Sequence, residues 1–231
     1  MILPGLLKVL MQNSSLYCYM GGGRLLEPEG EQILAELYKV VARMGLTSGI
    51  VINTSADKSE TWSRVGDQLL KRIGSSNLGL FDVFGQTIPS IKLLESAQIF
   101  FLSGGHPDKF LTKIRALGVF DNISACLQKN NVLVIGVSAG ALILNKTCYI
   151  SRDDDYPQEL FLDGLAICND FITETHYRED KFDLIKNAGF RNRVIAIEDN
   201  SAIFYSTVEM CTFGKVHFLP KLSHKTRAEP E

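Results

Sequence analysis

The sequence predicts an α/β fold: a single domain around a doubly wound, mostly parallel sheet. Three observations predict it. Up to Ala141, short apolar runs alternate with amphipathic helical stretches, the rhythm of strand, crossover helix and parallel strand. Several of the runs stop at glycine-rich turns, where a strand ends and the chain can change direction. The run Val132–Gly136 is almost wholly aliphatic, which suits the centre of a sheet covered on both faces.

Leu16–Met20 is a strand that ends at Gly21-Gly22-Gly23. Glu29–Met44 carries apolar residues at Ile33, Leu34, Leu37, Val40 and Val41, a helical period closed by Gly45. Gly49–Ile52 is a second strand and Lys58–Ile73 a second helix. Leu78–Phe84 and Ala97–Leu102 are further strands, with a helical segment near Ile91–Glu95 between them. Pro107–Leu117 and Phe120–Lys129 are helical. After Ala141 the rhythm weakens: Asp153–Glu159 reads as a polar loop, Phe171–Thr175 as a strand and Tyr177–Ala188 as a helix. Arg193–Ile197, Ala202–Tyr205 and Val208–Phe213 read as shorter, hairpin-like strands, and His217 falls in a late strand. Residues 1–15 are expected to form an N-terminal arm, 16–221 the domain, and 222–231 a polar tail.

A chain of 231 residues, 45% of them hydrophobic, is long enough to bury a full core. A formal net charge of -2, with basic residues scattered, gives no electrostatic basis for nucleic acid or an anionic membrane as partner. No apolar run is long enough to span a bilayer. The five cysteines form no Cys-x-x-Cys pair, so free buried thiols in a reducing compartment are expected, with neither a disulfide framework nor a zinc site. The expected location is cytoplasmic. A homodimer is left open as its assembly.

Chemistry concentrates in Gly136-Val137-Ser138-Ala139-Gly140, a Gly-x-Ser-x-Gly placed where a strand meets a helix. A serine on that tight turn projects its hydroxyl above the strand ends, and flanking glycines avoid collision with neighbouring backbone. The Ala139 N–H stands where an oxyanion forms. The competing reading is a glycine-rich turn whose serine only caps the helix. Ile99–Leu102 runs into a second such turn, Ser103-Gly104-Gly105-His106, at the same sheet edge, so the Gly105 N–H is a candidate second donor. His106 is expected to form a wall of the pocket; the alternative is a cap on the following helix. A serine nucleophile needs a base, and among His106, His176, His217 and His224, His176 sits at the end of the alternating strand Phe171–Thr175.

Phe101-Leu102-Ser103-Gly104-Gly105, Gly136-Val137-Ser138-Ala139-Gly140-Ala141, Thr175-His176-Tyr177 and Ile197-Glu198-Asp199-Asn200-Ser201-Ala202 stand in the order found in the S51 serine peptidases. Gly21-Gly22-Gly23 and Asn53-Thr54-Ser55-Ala56 also resemble that family, so the similarity covers residues 16 to 212. The family includes peptidase E, an aspartyl dipeptidase, and cyanophycinase. Its fold is similar to the flavodoxin-like scaffold of the class I glutamine amidotransferases. The resemblance implies Ser138 as nucleophile, His176 as base, the N–H groups of Gly105 and Ala139 as oxyanion hole, and neither metal nor organic cofactor. For the acid it leaves two positions: Asp153, with Asp154 and Asp155 beside it, and Asp199, next to Glu198. Asp199 is preferred, because the acid should be firmly held and partly buried, whereas three consecutive aspartates read as a solvated charge run.

The expected activity is serine-type hydrolysis of short peptides, with a small peptide as the partner. Arg178 and Lys181 follow the histidine more closely than the arginines of cyanophycinase do. They could pair with a substrate carboxylate, which would suit Asp-containing peptides; a polar first helical turn is the alternative. Two rivals remain. An α/β-hydrolase esterase shares the pentapeptide, but little chain separates Ser138 from His176 to hold the elements that usually intervene. A non-catalytic binding protein on the same scaffold would carry an unreactive Ser138. A dinucleotide site at Gly21-Gly22-Gly23 is disfavoured because Leu26 occupies the last glycine position.

Overall fold

The computed structural model describes residues 15–86, 89–153, 155–188, 190, 192–207 and 209–219. The expected arm, apart from Ser15, the expected tail and Asp154 lie outside these residues.

The first half alternates as its aliphatic runs require: β1 (Leu16–Met20), α1 (Glu31–Met44), β2 (Ser48–Asn53), α2 (Ser59–Arg72), β3 (Asn77–Asp82), α3 (Ile91–Ser96), β4 (Ile99–Leu102), α4 (Pro107–Ala116), α5 (Phe120–Leu127) and β5 (Leu133–Val137). Among the described residues, seven strands form the main sheet. Its parallel part runs β1-β5-β4-β2-β3. Alternate side chains on each strand enter two separate cores. Leu16, Cys18 and Met20 pack with Phe101 and Ile135 beneath α1 and α2, while Tyr19, Phe100 and Val134 pack with Phe110 and Ile114 on the opposite face. This two-sided burial explains why β4 and β5 contain no polar side chain.

The second half departs from the expected pattern. A single turn, α6 (Ala139–Leu142), follows β5; it leads to β6 (Thr147–Ile150), which pairs antiparallel with β7 (Leu160–Asp163). The polar stretch 153–159 is the connection of this hairpin. Its strands have four residues each, and β7 is half exposed, so neither announces itself by composition. Beyond β8 (Phe171–Thr175) the expected long helix is a 3-10 turn at Glu179–Lys181 and a six-residue α7 (Phe182–Asn187).

The late strands are divided between two sheets. β9 (Arg193–Ile197) pairs parallel with β8 and antiparallel with β12 (Val216–Leu219), around a small core that includes Tyr149, Ile172 and Val194. β10 (Ala202–Tyr205) and β11 (Met210–Phe213) form the hairpin that completes the main sheet, with β10 antiparallel to β1. Hairpin pairing therefore holds for β10 and β11 but not for β9. Four cysteines are buried, Cys211 is half-buried, and all five are free. No described helix is long and apolar enough to cross a membrane.

Phe101 is fully buried on β4 and lies against Gly66 of α2, where an added Cβ would come within 2.7 Å of its ring. Phe101→Ala is expected to cost about 3–5 kcal/mol by leaving a cavity that this tight contact cannot refill. Urea denaturation of the two proteins measures it.

Candidate active site

Three chain segments converge at the carboxyl edge of the main sheet. Ser138 stands between β5 and α6 with φ 51° and ψ −115°, a conformation outside the regions side chains prefer. The packing that holds it there is tight. A Cβ at Gly136 would approach the Gly140 carbonyl oxygen to 2.6 Å, and one at Gly140 would approach that of Leu102 to 2.3 Å. The Gly140 N–H donates to the Ser103 carbonyl at 3.0 Å, tying the serine turn to the turn after β4. Because α6 is one turn long, any field of the helix at this point is weak, and local N–H groups matter more.

The turn after β4 is braced from β2. Thr54 donates its hydroxyl to the carbonyls of Ser103 and Gly104 at 2.8 and 3.1 Å, and its N–H donates to the Ser103 hydroxyl at 2.9 Å. Holding the Gly104 carbonyl turns the N–H on the other side of that trans peptide, Gly105 N–H, away from Thr54. Gly105 itself lines the cleft beside Ser138, together with Ala139. Among the described residues, no backbone carbonyl accepts from the N–H of Gly105 or of Ala139. The cleft therefore has two uncommitted donors near the serine.

The third segment carries His176, just beyond β8. Its backbone is also left-handed, φ 51°, and its N–H donates to the Gly21 carbonyl at 3.0 Å. Nε2 lies 2.8 Å from the Ser138 hydroxyl and Nδ1 lies 2.7 Å from an Asp199 carboxylate oxygen. A carboxylate only accepts, so Nδ1 carries the proton and Nε2 accepts from the serine. Asp199 stands in the turn after β9, where the next residue, Asn200, donates its N–H to the Gly22 carbonyl at 3.0 Å. This serine–imidazole–carboxylate chain can take a proton from the hydroxyl and stabilise the imidazolium that results.

Of the two acid positions read from the sequence, Asp199 is the one against the imidazole. Asp153 accepts from the N–H groups of Asp155 and Tyr156 at 2.9 Å each, which folds the 153–156 turn at the mouth of the cleft. Burial, expected to hold the acid in place, does not do so. The Asp199 side chain is 54% exposed and that of His176 is 49% exposed, so close hydrogen bonding holds the pair. His106 does not line the cleft as expected, although its neighbours Gly105 and Pro107 do. Its Nδ1 lies 3.5 Å from Asp57, an ion-pair distance without hydrogen-bond geometry. Arg178 lines a neighbouring groove with His176 and Asp199, where its guanidinium pairs with Asp180 at 2.9 Å.

Sequence reasoning missed a buried cluster on the cleft floor. Glu174, 2% exposed, accepts from the Ser151 hydroxyl at 2.7 Å and from the Lys181 ammonium at 2.8 Å. Lys181 also reaches Ser151 at 3.2 Å and the Thr175 carbonyl at 3.4 Å, next to His176. Burial raises the Glu174 pKa above the usual carboxylate range, against the opposing effects of Lys181 and Ser151. The signal available was Glu174 at an inward position of an alternating strand, a placement that demands a partner. Among the described residues, no group of three or more His, Cys, Asp or Glu side chains is arranged to hold a metal ion.

A family model matches most of the chain, and two solved structures share its fold. The model of peptidase family S51 matches residues 31–211. A peptidase from an acI-B1 Actinobacterium superposes with a TM-score of 0.68 at 19% identity, covering 90% of this chain and 92% of its own. A putative peptidase E protein from Listeria monocytogenes EGD-e superposes with a TM-score of 0.61 at 16% identity, covering 90% and 99%. No curated protein matches by sequence.

Removing one member of the buried ion pair should expose its cost. Glu174→Ala leaves the 13%-exposed Lys181 side chain without its carboxylate and is expected to destabilise by about 3–5 kcal/mol. Glu174→Gln, which still accepts from Lys181 and Ser151, should cost clearly less; urea denaturation of both variants decides.

Proposed function

The chain belongs to peptidase family S51, and from that membership and the contacts of Ser138 we propose a serine-type hydrolase that cleaves short peptides. One observation carries the reading: Ser138, His176 and Asp199 form a continuous chain of hydrogen-bond contacts, the arrangement in which a carboxylate at Nδ1 favours the tautomer a general base requires.

In this mechanism the Ser138 hydroxyl attacks the scissile carbonyl as His176 Nε2 accepts its proton. Asp199, accepting from Nδ1, balances the charge of the imidazolium. The tetrahedral oxyanion takes hydrogen bonds from the N–H groups of Gly105 and Ala139, which lack other backbone acceptors among the described residues. His176 then gives the proton to the leaving amine, and water, activated by the same imidazole, hydrolyses the acyl-enzyme. Asp153, Asp155 and Tyr156 at the mouth of the cleft favour short peptides over folded chains. Hydrolysis of Asp-containing dipeptides would need a basic group free to meet the side chain. Arg178 is the expected one, and it must leave Asp180 to do so.

A fluorophosphonate probe tests the nucleophile. Labelling of the wild type that disappears in Ser138→Ala and falls at least 100-fold in rate in His176→Ala is the expected outcome. A folded wild type that resists labelling would return the protein to the binding class, and turnover of small esters without peptides would favour the esterase.

Asp199→Asn should lower kcat by about 10³–10⁴-fold on any peptide that is cleaved, because the amide no longer fixes the tautomer. Gly22→Ala should also suppress turnover. Its Cβ would lie 2.1 Å from the His176 ring, at a backbone φ of 130°. Steady-state kinetics alongside a check of folding by circular dichroism measures both.

A further inference from the structure

Outside the catalytic cleft, a groove of about 340 Å³ lies between the turn after β1 and α2. That volume suits one small ligand or one large amino-acid residue. Its lining is partly apolar, with Leu25, Leu26 and Val65 beside the indole of Trp62, the only tryptophan in the chain. Two guanidinium groups, Arg24 and Arg64, and one carboxylate, Glu27, complete the charged part.

The charges there do not balance. Glu27 pairs with Arg24 at 3.0 Å, and the neighbouring carboxylates are committed elsewhere, Asp67 to Lys71 at 2.7 Å and Glu31 to Arg72. Among the described residues no carboxylate comes within ion-pair distance of Arg64, Glu60 one helical turn earlier included. Arg24 is itself lightly held. Its pair with Glu27 is exposed, at 70% and 53%, and engages only Nη1, so the other N–H groups of the fork stay open. The Trp62 indole N–H also reaches solvent and donates to no described residue. A free guanidinium beside an aromatic and aliphatic surface suits a carboxylate carried on an apolar group. The fork meets the carboxylate with two parallel hydrogen bonds, and the ring and aliphatic side chains cover the rest. An inorganic anion would leave that apolar surface uncovered. The groove also backs onto the catalytic machinery. Trp62 lies against Gly104, where an added Cβ would come within 2.4 Å of the ring, and the next residue, Gly105, carries an oxyanion donor. The Arg24 N–H donates to the Asn200 side chain at 2.9 Å, one residue past Asp199.

We propose that this groove is a binding site for an apolar carboxylate, held by Arg64 and Arg24 against Trp62. Two sources share that chemistry: the C-terminal residue of a peptide held at Ser138, and a separate carboxylic acid such as a released amino acid. The first source rests on the hydrolase reading; the site itself does not.

Calorimetry on full-length Ser138→Ala separates binding from turnover. The probes are N-acetyl-phenylalanine and N-acetyl-phenylalanine amide, which differ only in the charged group. The acid should bind at least tenfold more tightly than the amide and shift the Trp62 emission with the same midpoint. Arg64→Gln, at an exposed position, should shrink the preference to under threefold, and Arg24→Gln should reduce it at least twofold. Leu-Leu-Phe and its C-terminal amide then identify the source. A preference for the acid peptide that Arg64→Gln abolishes and that saturating N-acetyl-phenylalanine competes away assigns the groove to the peptide C-terminus. Peptide binding indifferent to terminal charge and to N-acetyl-phenylalanine assigns it to a separate acid. Equal or absent binding of acid and amide, an unaltered Trp62 emission, or a preference that survives Arg64→Gln overturns the site. Fluorophosphonate labelling of wild-type Ser138 reports separately on the hydrolase reading, so labelling that survives such a result leaves that reading standing.

Discussion

The site depends on the close approach of three loops to one glycine turn. Gly21 and Gly22 follow β1, and the backbone there works as a junction. The Met20 carbonyl accepts from Ser138 N–H, the Gly21 carbonyl from His176 N–H, and the Gly22 carbonyl from Asn200 N–H, all at 3.0 Å. Every member of the serine–imidazole–carboxylate chain is thus positioned, directly or through its neighbour, by consecutive peptide groups. Only a chain without side chains can sit this close. A Cβ at Gly21 would come within 2.2 Å of the Glu198 carbonyl oxygen, and one at Gly22 would enter the imidazole.

That junction explains the placement of strain. Ser138 and His176 both hold left-handed backbone conformations, which cost of order 1–3 kcal/mol each and persist only where the surroundings over-determine them. Here the surroundings are a parallel sheet buried on both faces, with β1 and β5 in register at Met20 and Val137. The rigid side of the site is therefore the main sheet, which fixes Ser138 and the two uncommitted N–H donors. The imidazole and its carboxylate come from the smaller sheet, and the glycine turn joins the two. An exposed His176–Asp199 pair keeps its geometry because both backbones are pinned, not because the side chains are enclosed.

Charge follows the same division. The elbow and the braced turn after β4 offer N–H groups, suited to an oxyanion. The floor and mouth of the cleft, from β6 to β8 and the 153–156 turn, offer carboxylates. Among the described residues that line the cleft, the one ammonium, partly buried Lys181, is consumed in neutralising Glu174 and in supporting the Thr175 carbonyl ahead of His176. Positive potential is thus local and made of backbone dipoles, while the side chains around it are net acidic.

The sequence by itself determined the parallel half of the fold, because two-sided burial makes β1, β4, β5 and the centre of β2 apolar runs separated by amphipathic helices. It also singled out Ser138, His176, Gly105 and Ala139 as candidates, since glycine spacing and strand ends are local features. The tertiary structure decided what depends on long-range approach. Asp199 and Asp153 were both admissible until the turn after β9 stood against the imidazole. The β6–β7 hairpin was hidden because four-residue strands carry little periodic signal, and the division of β9 from β10 because local pattern does not say which sheet a strand joins. The Gly21–Gly23 turn read as an ordinary strand end; its role as a junction comes from segments more than 100 residues away in the chain. Glu174, Lys181 and Ser151 meet only when two strands and a 3-10 turn pack together, and desolvation on burial then makes their pairing obligatory.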